Sequence, residues 1–322
     1  MNTETSRRKA LAKVEASTHA GLWLDKGLAK VEDKGPGRQA LFEEIAGLAV
    51  PGDYRRFFER WRSSLEALPD TRTAVATVQG RMAIGLGAES VLETSIALHR
   101  TYGVPYVPGS ALKGLAAAAA HKHLEDPAWR KANPDHPIGP WHRILFGDQE
   151  SSGYVTFHDA LWIPHGDKLP LDLDVMTVHH PDYYQGTGSP PADWDNPNPV
   201  AFLTARGQYL LAATGPEEWL DAAMTILADA LEKDGIGAKT AAGYGRMKVD
   251  RPPEPEKLNW KELLKTLQWG NADQIVPRIL DRLKGEERRT AVAAVIEKLE
   301  RRKLRKSQDK EWVRRLFEAE EG

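Results

Sequence analysis

Gly235-Ile236-Gly237-Ala238-Lys239-Thr240-Ala241-Ala242-Gly243-Tyr244-Gly245-Arg246 places four glycines in the eleven residues from 235 to 245 and adds Lys239 and Arg246 as cations. Glycines let a backbone take positive φ and approach a ligand closely. Successive amides in such a loop form a concavity for anions, so a phosphate-rich partner fits. A nucleotide-binding P-loop does not, because that motif needs Gly directly before Lys-Thr and runs from a strand into a helix. Here Ala238 precedes Lys239, and the pattern runs from a helix into a strand. A purely structural glycine-rich turn accounts for the same composition.

The neighbours of this stretch set its context. Upstream, Pro216 to Leu231 reads as a helix with Trp219, Leu220, Met224 and Leu227 facing inward, ending at Gly235. Downstream, Tyr244 to Val249 reads as a strand. Further towards the N-terminus lie two strand regions, Gly153 to Ala160 and Val200 running on towards Leu211. An irregular insertion rich in Pro, Gly, Asp and Asn separates them, His179 to Pro199. Before these comes an Ala-rich helix to about Leu124, with Ser110 as its N-cap. The first strand is Thr73 to Val78, continued by Met82 to Leu86. The order β-α-β-β-α-β is that of a ferredoxin-like α+β domain over residues 71–250.

Residues 1–70 form a helical segment packing on that core. Pro51-Gly52-Asp53 breaks and caps, and Tyr54, Phe57, Phe58, Trp61, Leu65 and Leu68 follow as an apolar stripe. Residues 251–257 (Arg-Pro-Pro-Glu-Pro-Glu-Lys) read as a linker. Residues 258–322 read as a module of three or four helices, with stripes at Leu263, Leu264 and Leu267, at Val292, Val295, Ile296 and Leu299, and at Val313, Leu316 and Phe317.

A second stretch that could carry chemistry is Pro108-Gly109-Ser110-Ala111-Leu112-Lys113-Gly114. It opens a helix, where free amides and the dipole favour a phosphate. Lys113 in the first turn opposes that dipole, which a nearby anion would explain. An ordinary capped helix with a solvated lysine is the plainer account.

Charge works against any reading as a free nucleic-acid binder. The 322 residues carry 44 Lys+Arg and 46 Asp+Glu, formally −2. Residues 258–322 hold 16 basic and 12 acidic residues, and residues 1–250 hold 26 and 32, so the main domain is acidic. A phosphate contact must therefore come from short loops and not from a general basic surface. The absence of Cys excludes disulfides, thiolate metal sites, iron–sulfur clusters and a Cys nucleophile. No targeting signal and no run near the ~20 apolar residues of a membrane helix is found, so a cytoplasmic location is expected, with no membrane partner.

Taken together, Pro-Gly-Ser-x-x-Lys-Gly at 108–114, Gly-x-Gly-x-Lys-Thr-x-x-Gly-Tyr-Gly-Arg at 235–246 and Phe146-Gly147-Asp148 resemble the RAMP superfamily of CRISPR-associated RNA-binding proteins. Three further stretches are similar to the family of sixth subunits of Cmr (type III-B) effector complexes. They are His19 to Lys26 near the N-terminus, Met176-Thr177-Val178-His179-His180-Pro181-Asp182-Tyr183-Tyr184, and Pro199 to Leu203.

The resemblance covers roughly residues 15–250. It implies a non-catalytic subunit at the end of the complex near the 3′ part of the guide RNA, packed against other RAMP subunits and small helical subunits. Guide RNA is the implied partner and target RNA a second candidate; no cofactor or metal is implied. The implied RNA-binding residues are Gly109, Ser110, Lys113, Gly237, Lys239, Thr240, Gly243, Tyr244, Gly245 and Arg246.

Two other functional classes stand beside this one. A guide-processing endoribonuclease would use a histidine such as His179 or His180, with Tyr183 and Tyr184 stacking on bases. Alternatively, the chain is a protein scaffold whose glycine loops only pack. His121 and His123 are two apart on a helix and point in different directions, which makes them poor joint metal ligands. Asp148, Glu150 and Asp159 read as structural carboxylates. Lys298, Arg301, Arg302, Lys303, Arg305 and Lys306 read as a solvated basic face, with RNA contact or docking as the sharper alternative.

Overall fold

β-Rich and Ala-rich runs alternate along residues 71–250 and build a main sheet with its helices and a separate two-stranded pair. The computed structural model describes residues 18–28, 36–90, 92, 94–133, 137–178, 198–250, 260–283, 285–307 and 309–321. They belong to two units, residues 1–250 and 251–322.

In the first unit, helices α1 (Ala20–Lys26), α2 (Pro36–Ala46) and α3 (Gly52–Ala67) precede strand β1 (Thr71–Val78). There follow β2 (Tyr106–Val107), α4 (Gly109–His123), α5 (Pro140–Phe146), β3 (Thr156–Phe157), β4 (Ala160–Trp162), β5 (Leu171–Val178) and β6 (Asn198–Ala205). β7 (Gln208–Thr214), α6 (Glu217–Lys233) and β8 (Met247–Val249) complete it.

The main sheet has the order β2-β4-β7-β1-β8, with β3 also on β7. β1 is antiparallel to both neighbours, Thr71 opposite Thr214 and Val78 opposite Met247. With β2 as an added edge, β8-β1-β7-β4 is the strand order of a ferredoxin-like sheet. Tyr209 to Ala213 are all buried, so both faces of β7 are covered. On one side the Tyr54 hydroxyl of α3 donates to the Trp162 carbonyl at 2.6 Å. α4 packs on α6 through small residues, Ala116, Ala119 and Ala120 against a stripe that includes Leu220, Ala223, Leu227 and Leu231. Glu217 and Glu218 in the first turn of α6 and Lys233 in its last complement the helix dipole.

Several sequence expectations need correction. The run from Val200 to Leu211 is not one strand. β6 ends at Ala205, the chain turns at Arg206-Gly207, and β7 begins at Gln208. Only β7 joins the main sheet, while β6 pairs with β5 as a separate hairpin. Gly207 has φ +95°, a turn conformation that no periodicity count detects. Met82 to Leu86 forms no strand, only single bridges from Met82 to Ala205 and from Ala83 to Ala238. The last strand starts at Met247, because Gly243 to Gly245 turn.

The second strand region is interrupted. Phe157 pairs with Ala213 and Leu161 with Leu210, so four steps on one strand face three on the other. The extra residue is a bulge at His158-Asp159, a device that re-aims a side chain. Ser110 is not the N-cap: α4 starts at Gly109 with Pro108 in the cap position. Asp53 likewise lies inside the first turn of α3, behind a Pro51 cap. Leu68 ends the stripe of α3 exposed. Of the expected insertion, residues 179–197 lie outside the described residues, as does the linker at 251–257; Asn198 and Pro199 already belong to β6.

Among the described residues the second unit has five helices, more than the three or four expected: α7 (Trp260–Thr266), α8 (Ala272–Arg282), α9 (Gly285–Lys298), α10 (Arg301–Arg305) and α11 (Glu311–Glu321). Its own core gathers Val276, Ile279, Val292, Val295, Leu304, Val313 and Leu316. Part of its basic set is engaged internally. Lys298 donates to the carbonyls of Leu264 and Lys265, Lys303 pairs with Glu300, and Arg301 pairs with Glu320.

Candidate nucleic-acid interface

The glycine-rich stretch leaves α6 and is stitched to the chain beyond β1. Ala238 N donates to Ala83 O at 2.7 Å and Gly245 N to Arg81 O at 2.9 Å. Within the loop, Ile236 N donates to Gly245 O, Ala242 N to Lys239 O, and Gly243 N to Thr240 O. Two glycines are dictated by these approaches. A methyl group at Gly237 would lie 2.4 Å from Ala83 O, and one at Gly245 would lie 1.9 Å from Ile236 O. The expectation of an open cradle of amides is therefore corrected: most of the loop's N–H groups are bonded within the protein.

At the crest of the loop stands Lys239. It is exposed and takes the left-handed conformation at φ +59°. A non-glycine residue there costs about 1–2 kcal/mol. Its ammonium group makes no hydrogen bond or ion pair among the described residues.

Tyr244 and Arg246 are otherwise engaged. The Tyr244 hydroxyl donates to Asp174 Oδ2 at 2.6 Å, and Arg81 Nη1 lies 2.8 Å from the same oxygen. Burial opposes the charge on Asp174, but the hydrogen bonds from Tyr244 and Arg81 outweigh it and hold the carboxyl below its usual range. The same bond pushes the Tyr244 phenol up. Asp172 continues the chain, 3.5 Å from Arg81 and 3.3 Å from Arg206. This network pins the β5–β6 hairpin beside the loop. The Arg246 guanidinium donates to the carbonyls of Glu232 and Lys233, closing the last turn of α6. Sequence reasoning missed the network, although Leu171-Asp172-Leu173-Asp174-Val175 alternates with the period of a strand that sets both aspartates on one face.

The start of α4 also carries its own anion. The bulge aims Asp159 at the helix, and Gly109 N donates to Asp159 Oδ1 at 2.7 Å. A methyl group at Gly109 would lie 2.2 Å from Phe157 O. A carboxylate thus occupies a place where a phosphate was expected. Ser110 and Lys113 line a cleft of ≈ 470 Å³ with Asp148, Glu150 and Ser151 opposite. Asp148 accepts the amides of Glu150 and Ser151, which lower its pKa, and sits 2.6 Å from Arg143 Nε. These carboxylates brace the turn after α5. Lys113 makes no ion pair among the described residues.

The two glycine stretches meet in a different cleft, of ≈ 360 Å³. Ala111, Leu115 and Ala118 of α4 face Gly235, Gly237 and Thr240 across it. Lys122 and His123 close its end on Asp234 at 2.9 and 2.7 Å. His121 instead accepts the Lys131 amide at 3.2 Å, so the two imidazoles diverge as expected. His179, His180, Tyr183 and Tyr184 lie outside the described residues. His142, which no motif singled out, is buried beside Phe146, and burial lowers its pKa.

Comparison with known proteins agrees with this architecture. The family model for the RAMP superfamily matches residues 75–248. The chain is 32% identical over 247 residues to the CRISPR system Cmr subunit Cmr6 of Pyrococcus furiosus, covering 60% of this chain and 72% of that protein. Its fold superposes with a TM-score of 0.52 on a chain in the cryo-EM structure of the type III-B Cmr-beta complex bound to cognate target RNA. That match has 20% identity and covers 66% of this chain and 71% of the other. Among the described residues no helix is long and apolar enough to cross a membrane.

Proposed function

Because the chain belongs to the RAMP superfamily, we propose that it is a non-catalytic, guide-RNA-binding subunit of a type III-B CRISPR effector complex. Homology to Cmr6 supports membership in such an effector. The RNA-binding part rests on Lys239, a cation with no ion pair among the described residues, held at the crest of the loop in a conformation that glycine would adopt more cheaply. Strain of this kind persists where the surroundings enforce it and clusters at functional sites.

In this reading Lys239 and Lys113 hold phosphates through their side chains, and Ser110 and Thr240 supply hydroxyls. Gly109, Gly237, Gly243 and Gly245 shape the backbone, while Tyr244 and Arg246 position the loop from behind. Contacts of this sort carry no sequence information, as variable guides require. The implied placement near the guide's 3′ part, among other RAMP and small helical subunits, belongs to the same proposal.

Crosslinking of the assembled complex tests it. RNA adducts within 109–114 or 235–246 are expected, and their absence overturns the assignment. One observation favours a scaffold as the second reading: the loop's amides, Tyr244 and Arg246 are spent inside the protein. Lys239→Ala and Lys113→Ala complexes that assemble and retain guide RNA would establish it. A His180→Ala protein is expected to leave guide processing unchanged.

A further inference from the structure

A third cleft, of ≈ 340 Å³, opens on the far side of the Arg206 turn. Its volume lies within the roughly 300–1,000 Å³ usual for small-ligand sites. Its floor is apolar, from Trp162, Ile163 and Leu169, and its rim carries His165, Lys168 and Arg206.

The walls are held by the protein's own hydrogen bonds. The Trp162 indole donates to Arg206 O at 2.9 Å, and a methyl group on Gly207 would lie 2.6 Å from that indole nitrogen. Arg206 Nε donates to Leu169 O at 3.3 Å, and Arg55 donates to Gly166 O. A turn from His165 O to Lys168 N, 3.2 Å, brings these two rim residues together. Both side chains are exposed and make no hydrogen bond or ion pair among the described residues. Arg206 is half exposed and shared with Asp172 at 3.3 Å. Asp167 is exposed in the same turn.

We infer that this cleft binds one nucleotide unit of single-stranded RNA, its phosphate on Lys168 and Arg206 and its flat base or ribose on the apolar floor. A purely anionic ligand would leave the apolar floor unused, and a purely apolar one would desolvate the cations. A nucleotide satisfies both. The chain Arg206–Asp172–Arg81–Asp174–Tyr244 links the cleft to the glycine-rich loop, so one strand held at the loop has a second, defined contact. The identity of the ligand rests on the RNA-binding reading above; the cleft itself does not.

The test uses the full chain and a fluorescein-labelled twelve-nucleotide poly(U), read by anisotropy across a salt series. Lys168→Ala is expected to weaken binding roughly tenfold, the size of a charge-assisted hydrogen bond. It should flatten the log–log salt slope by about 0.7, one single-strand phosphate contact. Lys239→Ala is measured alongside. Loss with Lys239→Ala alone overturns the cleft and leaves the loop reading standing. Loss with Lys168→Ala alone supports the cleft and overturns the loop. No loss with either overturns both, and loss with each supports both. Lys168 lies on an exposed turn, so an unchanged circular dichroism spectrum is expected to accompany the variant.

Discussion

Replacing Lys239 with glycine separates the conformational role of that position from its charge. Lys239 sits at φ +59°. An L-residue there costs about 1–2 kcal/mol, which glycine does not incur. Glycine in turn gives the unfolded chain extra freedom worth roughly 0.5–1 kcal/mol. The difference leaves the variant between unchanged and about 1.5 kcal/mol more stable. For a domain of roughly 150–250 residues that is a rise of up to about 3–6 °C in Tm.

RNA affinity should move the other way. Without the lysine's phosphate contact, binding weakens roughly tenfold and the salt slope flattens by about 0.7. Urea and thermal unfolding report the first effect, and anisotropy with labelled RNA the second. A fall in stability beyond about 1 kcal/mol would show that the side chain holds the loop together, although it has no partner among the described residues. Unchanged RNA affinity would refute the assignment of Lys239 as a phosphate contact. Stability and binding moving in opposite directions is the signature the strained lysine requires.

Other perturbations probe the scaffold of the site. Gly245→Ala puts a methyl group 1.9 Å from Ile236 O at φ +73°, so a loss of about 2–4 kcal/mol is expected in urea unfolding. Tyr244→Phe removes one hydrogen bond to Asp174 and should cost about 1–2 kcal/mol at neutral pH. Asp174 has a lowered pKa, so its contribution is present above the unfolded carboxyl value and is lost as pH falls through the folded one. Acid unfolding below the usual carboxylate range should therefore lose part of its pH dependence in Tyr244→Phe. Asp159→Ala removes the acceptor for Gly109 N and should cost about 1 kcal/mol. It also takes a carboxylate from the start of α4, and RNA affinity should rise; a fall would show that Lys113 and its helix N-terminus hold no phosphate.

Local signals carried much of the fold. The stripe of α6, the Ala run of α4 and the β-rich 73–78 stretch each bury one face in a fixed period, and period is written in consecutive residues. The glycines at 237 and 245 were legible as places of close approach to a ligand, whereas what they approach is the protein's own backbone, Ala83 O and Ile236 O. Less legible was the split of Val200–Leu211 into β6 and β7, since an apolar run looks alike whether it forms one strand or two around a Gly207 turn.

For the candidate site the division is sharper. By itself the sequence determined which residue types gather at the two glycine stretches, and that the main domain is acidic and offers no broad basic surface. Only the tertiary structure decided which of those groups remain available. Asp174 reaches Tyr244 across 70 residues, Asp159 reaches Gly109 across 50, and Arg246 reaches back to the end of α6. Hydrogen bonds and ion pairs are satisfied by whatever group the fold brings within about 3 Å, and that distance carries no trace in local sequence. The same geometry leaves Lys239 and Lys113 without an ion pair among the described residues.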